Sequence, residues 1–300
     1  MMKRGIYLVA NLKSQQMCES LIRSIRESGC SLPVRLIHFG GEAIRSSYVL
    51  SQVELLRYDD FPEEARLFIA ELRGVLTDCP MGYLYRYLAW FSDWDEFIYS
   101  DNDIVALTNW ETLFGYLEGY DLVHADEEYI TGGKFNYYKP ESVQAIFGEP
   151  ALESAITAGH IVVKRSVKMV EDITAAVEWF KKHPDIPKKH DQALMHIASL
   201  LGHWKMLNLC KPPHSWLSTW AGDYMIPLQI IQRVQIQNAK ISHLHYSGRV
   251  PRGDKPIDVL LFPESRVKPW LGKYLPGSAG RSLLRAFRRR ATLLIRRLII

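Results

Sequence analysis

Apolar runs and helical patterns alternate along the first part of the chain. Residues 5–10 form a short, uninterrupted apolar run that is typical of a buried strand, and residues 14–27 carry apolar side chains at helical spacing. Residues 33–39 repeat the strand pattern. A strand, a helix and a second strand in this order predict a βαβ unit, in which the two strands run parallel.

The same alternation continues towards the middle of the chain. The pattern predicts strands over 53–58, 97–99, 121–124 and 161–163, and helices over 61–76, 80–91, 109–118, 167–181 and 190–201. Residues 132–150 interrupt it with Gly, Pro, Tyr and Lys, which indicates an active-site loop or a crossover between two halves. The predicted fold class is α/β, with a mixed, mostly parallel, Rossmann-like sheet flanked by helices.

Two carboxylates follow the predicted strand at 97–99. Asp101 and Asp103 would point to one side if the strand continued through them, because side chains alternate along a strand. Ligands bind at the carboxyl ends of strands in open α/β sheets. Two close carboxylates repel each other unless a cation neutralises them, and their oxygens suit Mg²⁺ or Mn²⁺. The alternative is a solvated turn, in which Asp and Asn are ordinary residues.

A late alternating segment, residues 240–249, contributes two imidazoles and ends in a glycine turn. His243 and His245 would share a face of a regular strand there. Together with Asp101 and Asp103, His245 would complete a set of ligands that suits Mn²⁺. A lone histidine is more often a core residue, but the earlier pair of acids favours His245 as a metal ligand.

Arg86 lies on the predicted helix 80–91, beside an aromatic stripe. A helix with so little polar surface is predicted to be buried on most sides. An enclosed arginine needs an anionic partner, which could be a diphosphate or one of the two aspartates. An ordinary salt bridge with Asp93 or Asp95 is the structural alternative.

The run from Tyr83 through Arg86 to Asp103 resembles the donor-site segment of GT-A fold glycosyltransferases, most nearly the family 8 type. In that type, a helix with an arginine precedes a strand that ends in D-x-D. The family also carries a late H-x-x-G-x-x-K-P-W motif, and residues 245–248 match its first half. The second half departs from the motif, since Lys-Pro-Trp stands at 268–270, some twenty residues later.

The resemblance implies roles for further residues. Residues 190–194 are similar to a D-Q segment that lines the sugar site, so Asp191 would hold donor-sugar hydroxyls and Gln192 would lie near the anomeric carbon. Asp191 could instead cap a helix. The implied catalytic residues are Arg86, Asp191 and Gln192. The implied donor-binding residues are Asn11, Ser14, Arg86, Asp101, Asn102, Asp103, Gly248 and Arg249, of which Asn11 and Ser14 could equally form a helix cap.

The activity implied by the resemblance is transfer of a hexose from a UDP-sugar to a hydroxyl of a glycan or lipid-linked acceptor. Mn²⁺ or Mg²⁺ would be the cofactor, and the anomeric configuration would be retained. If Asp191 acted as a general base, the reaction would invert. A nucleotidyltransferase would also use two carboxylates, but residues 10–15 lack a Gly- and basic-rich phosphate loop. A non-catalytic carbohydrate-binding or membrane-scaffold protein is the other alternative.

The charge of the chain is unevenly distributed. The sequence has 37 basic and 33 acidic residues, and residues 281–300 hold seven arginines and no acid. The 280 preceding residues therefore carry a net charge of −3, which argues against a nucleic-acid partner. Apolar residues recur within 281–300 at alternating three- and four-residue steps, with the arginines largely on other faces, which predicts a basic amphipathic helix on an anionic membrane surface. These apolar residues are Leu284, Phe287, Ala291, Leu294 and Leu298. A helix that packs on the body or an RNA-binding tail is the alternative.

These patterns predict the organisation and location of the protein. We expect a catalytic domain at 1–250, with a nucleotide-sugar half at 1–130 and an acceptor half at 131–250, then an extension at 251–280 and the helix at 281–300. The four cysteines form no C-x-x-C pair, as a reducing cytosol would allow, and neither a signal peptide nor a membrane-spanning segment is apparent. The expected location is cytoplasmic, peripheral to the inner face of the membrane, with a role in bacterial surface polysaccharide or lipopolysaccharide synthesis.

Overall fold

The computed structural model describes residues 2–125, 134–247 and 256–261, together with Leu294 and Leu298. Contacts divide the chain into two compact units. The first unit comprises Met1–Gln15, Leu32–Asn102 and Glu111–Ser215, and the second comprises Gln16–Ser31, Asp103–Trp110 and Trp216–Ile300. The division into sequential domains proposed from the sequence stays a prediction.

Seven strands form the sheet of the first unit. They are β1 (Arg4–Ala10), β2 (Val34–His38), β3 (Glu54–Leu56), β4 (Glu96–Ser100), β6 (Leu122–His124), β7 (His160–Lys164) and β8 (Met206–Asn208), and β5 (Ile104–Ala106) belongs to the second unit. Their order across the sheet is β3-β2-β1-β4-β7-β6-β8. Strand β7 is antiparallel to both of its neighbours, and the remaining pairs are parallel. The predicted mixed, mostly parallel sheet is therefore confirmed.

Eight α-helices and several 3-10 helices lie within the described residues. The α-helices are α1 (Gln15–Glu27), α2 (Ser47–Gln52), α3 (Glu63–Val75), α4 (Met81–Leu84), α5 (Pro140–Phe147), α6 (Val167–Lys182), α7 (Asp191–Gly202) and α8 (Pro227–Gln237). The 3-10 helices are Leu12–Ser14, Tyr58–Asp60, Tyr85–Phe91, Trp110–Leu117, Lys134–Asn136, Glu149–Ser154, Ala221–Asp223 and Pro256–Leu260. In this part of the chain, no helix has the length and apolar character needed to cross a bilayer.

A large hydrophobic cluster of the first unit lies on one face of the sheet. Tyr7, Phe97 and Ile161 project from neighbouring strands into the same buried cluster, because they occupy equivalent positions in the alternation of β1, β4 and β7. Residues of α3, α6 and α7 and of the 3-10 helix Tyr85–Phe91 complete this cluster. Within it, the rings of Trp90 and Phe97 meet edge to face with centroids 5.1 Å apart. Packing thus places the Tyr85–Phe91 helix against the central strand β4.

The second unit has a small sheet and a core of its own. Strands β5 (Ile104–Ala106) and β9 (His243–His245) pair antiparallel, with Ile104 opposite His245. Apolar residues of β5, α8 and the helix Pro256–Leu260 form a separate buried cluster around this pair. This pairing places the beginning of β5, which Asp103 precedes, next to the end of β9, which is His245. Asp103 and His245 are both candidate metal ligands.

Candidate functional site

Candidate residues of the first unit gather where its central strands end. Strands β1 and β4 are parallel and end at Ala10 and Ser100, and the antiparallel β7 begins opposite Ser100 at His160. The backbone N–H of Asp101 donates to the carbonyl of Gly159 over 2.7 Å. The chain leaves the strand at Ser100, so Asp101 and Asp103 do not lie on a continuing strand, which was the condition for their alternation.

Arg86 lies at the centre of a buried polar network at this edge of the sheet. Its Nη1 lies 2.9 Å from Asp191 Oδ2, and its Nη2 lies 3.1 Å from Asp101 Oδ1. The guanidinium also donates to the carbonyls of Ala158, over 2.6 Å, and Tyr83, over 3.1 Å. We call Arg86, Asp101 and Asp191 the Arg86 cluster. Both aspartates belong to the polar residues that sequence reasoning had selected.

The alternative partners of Arg86 are engaged elsewhere. Asp93 forms salt bridges with Lys3 and Arg35, and Asp95 accepts a hydrogen bond from the backbone N–H of Lys3. The alternative of an ordinary salt bridge between Arg86 and Asp93 or Asp95 is therefore wrong, and the expected partnership with one of the two aspartates of the D-x-D sequence is observed for Asp101. The guanidinium, with its side chain 2% exposed, is instead balanced by the two carboxylates of the Arg86 cluster.

Burial and charge act in opposite directions on Arg86. Burial of the guanidinium lowers its pKa, but the carboxylates of Asp101 and Asp191 outweigh this and raise the pKa well above its ordinary value. Arg86 therefore stays charged. Tyr99 adds a hydrogen bond from its hydroxyl to Asp101 Oδ1 over 2.7 Å, and burial raises the pKa of this phenol, which keeps it a donor. Sequence reasoning missed Tyr99, because only the fold brings it next to this carboxylate.

Asp191 is the first residue of α7 and does not cap it. His190 occupies the N-cap, where its Nδ1 accepts from the backbone N–H of Ala193, so the helix-cap alternative for Asp191 was wrong. Both carboxylate oxygens of Asp191 are engaged, one by Arg86 and the other by the thiol of Cys79 at 3.7 Å. Burial, followed by the charge of Asp191, raises the pKa of Cys79 to about 12, so the thiol stays protonated. Asp191 thus belongs to a closed network.

Gln192 follows Asp191 on the first turn of α7 and is half-buried. Its Nε2 donates to Oδ1 of Asn136 over 3.0 Å. Asn136 ends the 3-10 helix Lys134–Asn136 and is fully buried. Sequence reasoning missed Asn136, because it lies in the irregular stretch 132–150, where no periodicity distinguishes one polar residue from another.

The other donor-site candidates of the first unit surround the end of β1. Asn11 caps the helix Leu12–Ser14 by accepting from the backbone N–H groups of Lys13 and Ser14, and Ser14 Oγ accepts from the N–H of Asn11 in return. The cap alternative is therefore confirmed for both residues. Asn102 Nδ2 donates to the carbonyl of Val9. Its Oδ1 is buried and has no hydrogen-bond partner among the described residues.

The second unit brings Asp103 and His245 together. His245 Nε2 lies 3.4 Å from Asp103 Oδ1, and His245 is buried while Asp103 is half-buried. The backbone of β9 holds this pair, because the N–H of Tyr246 donates to the carbonyl of Asp103 over 3.0 Å and the N–H of His245 donates to Thr219 over 2.7 Å. His243 is buried too, but its Nδ1 hydrogen-bonds to Ser242 Oγ. The chain passes from Asp101 to Asp103 through Asn102 alone.

Some sequence-based candidates lie outside the described residues. These are Gly248 and Arg249 of the late motif, the tripeptide at 268–270, and the basic segment 281–300 apart from Leu294 and Leu298. Their roles stay predictions.

Comparisons with known proteins agree with the observed fold. A family described as "Mannosyltransferase putative" matches residues 3–122, which contain β1 to β5 and Arg86, Asp101 and Asp103. No curated protein matches the chain.

Solved structures match a larger part of the chain than the family model does. The bifunctional glycosyltransferase WbbM has a TM-score of 0.56 at 13% identity, over 87% of this chain and 49% of that chain. The glycosyltransferase GlyE of Streptococcus pneumoniae TIGR4 has a TM-score of 0.50 at 13% identity, over 98% and 64%. Mouse xyloside xylosyltransferase 1 has a TM-score of 0.50 at 11% identity, over 83% and 99%.

These similarities are to glycosyltransferases, and they establish the fold. The chain spans about half of WbbM and less than two thirds of GlyE. At identities of 11 to 13%, the likeness concerns the arrangement of strands and helices and not the substrates. The mixed sheet flanked by helices is the GT-A fold that the sequence had predicted.

Proposed function

We propose that this protein is a metal-dependent glycosyltransferase that moves a hexose from a UDP-sugar to a hydroxyl of a glycan or lipid-linked acceptor, with retention of configuration. The observation that carries the proposal is the contact between Asp103 and His245. It joins an acid of the D-x-D sequence to the first residue of the late histidine motif, across 142 positions of sequence. The GT-A fold supports it.

The side chains of Asp101, Asp103 and His245 carry the donor atoms that a divalent cation requires. We propose Asp103 and His245 as ligands, joined by Asp101, which precedes Asp103 by two residues. Two carboxylates and an imidazole are a donor set that suits Mn²⁺, whereas Mg²⁺ prefers oxygen ligands alone. When bound, such a cation would stabilise the negative charge that develops on a departing diphosphate.

The role that we assign to Arg86 follows from its partners. Its guanidinium bonds both Asp101 and Asp191 and is buried, so it acts by holding these carboxylates in place. A substrate diphosphate would have to displace one of them to reach it. We therefore treat Arg86 as a positioning residue, which refines the expectation that it binds the diphosphate directly.

The partners of Asp191 argue against this residue as the general base of an inverting reaction. A general base must accept a proton from the acceptor hydroxyl, but both oxygens of Asp191 already have partners in Arg86 and Cys79. Asp191 is better suited to hold the first turn of α7 in place, which would in turn position the donor. Gln192, the next residue on the same turn, is then the side chain that we place near the anomeric carbon of the donor.

Asn102 is a candidate contact for the nucleotide. Its amide nitrogen is anchored to β1, and its buried oxygen has no partner in the described part of the chain. A hydroxyl of a bound ribose would satisfy such an acceptor. Asn11 and Ser14 lie at the same strand end. Their side-chain oxygens form the capping bonds, and the amide nitrogen of Asn11 donates to the carbonyl of Gly40.

Trp220 is a candidate contact for an acceptor sugar. It is 46% exposed, whereas Trp216 is buried, so only the former of these two indoles offers a face to solvent. Its Nε1 donates to the carbonyl of Ser247 over 3.0 Å, and its backbone forms a bridge with His245. A fixed aromatic face beside a metal ligand suits stacking against a sugar ring.

The basic segment 281–300 supports a location at an anionic membrane surface, where a lipid-linked acceptor would be found. We propose peripheral association through this segment and a role in surface polysaccharide or lipopolysaccharide synthesis. Deletion of residues 281–300 should move the protein from the membrane fraction to the supernatant after sedimentation. Unchanged sedimentation would contradict the proposed anchor.

The proposed activity is tested by release of nucleoside diphosphate from a panel of donors in the presence of Mn²⁺. The panel includes UDP-glucose, UDP-galactose and a mannosyl nucleotide, because the matching family is described as a mannosyltransferase. Slow hydrolysis of one donor by the wild type, lost on chelation and in Asp103→Asn, is the expected result. Release of pyrophosphate from a nucleoside triphosphate would favour a nucleotidyltransferase, and no release from any donor would favour a non-catalytic protein.

A further inference from the structure

We propose that Asn136 is a positioning residue that orients the amide of Gln192 towards the donor sugar. The inference rests on the proposed function, in which Gln192 lies near the anomeric carbon. It concerns a residue in the irregular stretch between β6 and β7, outside every motif of the sequence.

The hydrogen bond between the two amides sets the direction of the Gln192 side chain. Gln192 Nε2 donates to Asn136 Oδ1 over 3.0 Å. In a planar amide, the carbonyl oxygen points away from the nitrogen at a fixed angle, so a bond that fixes the nitrogen also fixes the direction of Oε1. A glutamine without such a bond samples several rotamers, since its terminal torsion is broad.

Asn136 is itself held rigidly enough to serve as an anchor. It is 0% exposed, and its backbone carbonyl accepts from the N–H of Lys188 over 3.0 Å. The next residue, Tyr137, pairs with Pro187, and its hydroxyl lies 2.6 Å from Nδ1 of His196 on α7. Asn136 is therefore tied to the segment before α7 and, through Tyr137, to α7 itself, the helix that carries Gln192.

A second observation indicates that Asn136 serves more than packing. Its Nδ2 is buried and has no hydrogen-bond partner among the residues that the structure describes. A buried donor without a partner lowers stability, and an apolar side chain of the same size would avoid that loss. The carbonyl oxygen is the part of this side chain that has a partner, and that partner is Gln192.

Loss of this bond should affect turnover more than donor binding. Gln192 would keep its place on α7 but lose the constraint that Asn136 puts on its amide, and a small misplacement of a reacting group costs on the order of 10²-fold in rate. We expect Asn136→Leu, which has nearly the same shape and no acceptor, to lower kcat for donor hydrolysis by roughly 10- to 100-fold, with KM changed by less than about 3-fold.

Asn136→Asp is the matched variant. It keeps an oxygen for Gln192 Nε2 to bond, and it replaces the amide nitrogen with a second oxygen that brings a negative charge into a buried position. We expect it to be less stable than the wild type because a buried charge is costly, but to retain kcat within about 5-fold because an acceptor for Gln192 Nε2 is still present. Asn136→Ser is used in addition if leucine is not accommodated, and the same loss as for leucine is expected.

The experiment measures nucleoside diphosphate release in the presence of Mn²⁺ and the donor that the wild type hydrolyses. The proteins compared are the wild type, Asn136→Leu, Asn136→Asp, Gln192→Met and the double variant Asn136→Leu/Gln192→Met. The shift in unfolding temperature on addition of UDP and Mn²⁺ is measured for each. We expect the double variant to be no slower than Gln192→Met, because the Asn136 bond has no function without Gln192. The UDP-induced shift should be unchanged in all variants.

The outcomes separate this inference from the proposed function. A wild type that hydrolyses no donor contradicts the proposed function and this inference with it. An active wild type that is matched by Asn136→Leu overturns the role of Asn136 alone. Additive losses in the double variant, or a loss of the UDP-induced shift, would show that Asn136 acts through general packing and would also overturn the inference.

Discussion

The guanidinium of Arg86 lies 2.9 Å from the carboxylate of Asp191, in a site where both side chains are less than a tenth exposed. This ion pair joins the 3-10 helix Tyr85–Phe91 to the first residue of α7. With Asp101 as the second anion, one cation holds together the end of β4 and two helical segments that sequence alone does not relate.

Removal of Arg86 should therefore destabilise the protein strongly. Arg86→Met leaves two carboxylates without their cation, and breaking a buried pair in this way costs about 3–5 kcal/mol. Adding Asp191→Asn to this variant should restore part of the loss, since it removes one unpaired charge. Unfolding in urea measures both. Lys181→Met is the control, because Lys181 pairs with Glu71 and Glu178 on the surface and little change is expected there.

Gly5 is predicted to tolerate no side chain. A Cβ at this position of β1 would lie 2.3 Å from a ring carbon of Trp94, which is buried. Gly5→Ala should lower the free energy of unfolding by about 1–3 kcal/mol, as overpacking does. Gly74→Ala on α3 is the control: a Cβ there meets nothing within 4 Å, so it should be neutral or stabilising by about 0.5–1 kcal/mol. Equal effects would contradict the packing described for Gly5.

His196 should make stability depend on pH. Burial lowers its pKa to about 4, from an ordinary value of about 6.5. Between these two pH values the unfolded chain binds a proton that the folded protein does not, so stability falls as the pH falls from about 6.5 to 4, by up to about 3 kcal/mol. Within the fold, Nδ1 faces the hydroxyl of Tyr137, and Nε2 faces Ser154 Oγ and the carbonyl of Ala151.

The measurement is urea unfolding at pH 7 and pH 4.5 for the wild type and for His196→Gln. Other groups titrate in both proteins, so the quantity of interest is the difference between the two pH dependences. The wild type should lose more stability on acidification than the variant. An identical loss in both proteins would mean that His196 does not titrate in this range.

Asp103 and His245 should be required for stabilisation by Mn²⁺ and UDP. A ligand at 100 times its Kd raises the free energy of unfolding by about 2.7 kcal/mol. We expect the wild type to show a rise in Tm with Mn²⁺ and UDP, and Asp103→Asn and His245→Gln to lose most of it. His243→Gln is the matched control, because His243 lies on the same strand but bonds Ser242. Loss of the shift in the control as well would indicate damage to β9 rather than to a metal site.

The main elements of the sheet were predictable because their signals are local. Strands β1, β4 and β7 are buried on both faces, so they appear as uninterrupted apolar runs. Helix α6 has an amphipathic period and was predicted within one residue of its end at Lys182. Strands β5 and β8 and helices α2, α5 and α8 were missed. A strand of three residues carries no resolvable period, and α5 lies in the stretch 132–150, which was predicted as a loop or crossover.

The local geometry of the site depended on tertiary packing and was less predictable. Residues 80–91 carry a helical pattern, yet only Met81–Leu84 is α-helical and Tyr85–Phe91 is a 3-10 helix. The pairing of Asp103 with His245 could be anticipated from residue chemistry and family resemblance. The contact between Asn136 and Gln192 could not, because nothing in the sequence distinguishes Asn136 from its polar neighbours.

Metal-dependent sugar transfer by this protein is tested by the release of nucleoside diphosphate from a sugar nucleotide with and without Mn²⁺. We expect slow release by the wild type from one donor of the panel, loss of that release on chelation and recovery when Mn²⁺ is restored. Asp103→Asn and His245→Gln should release nothing above background. Release that persists in the presence of a chelator, or that is undiminished in both variants, would show that the proposed metal site does not support the reaction.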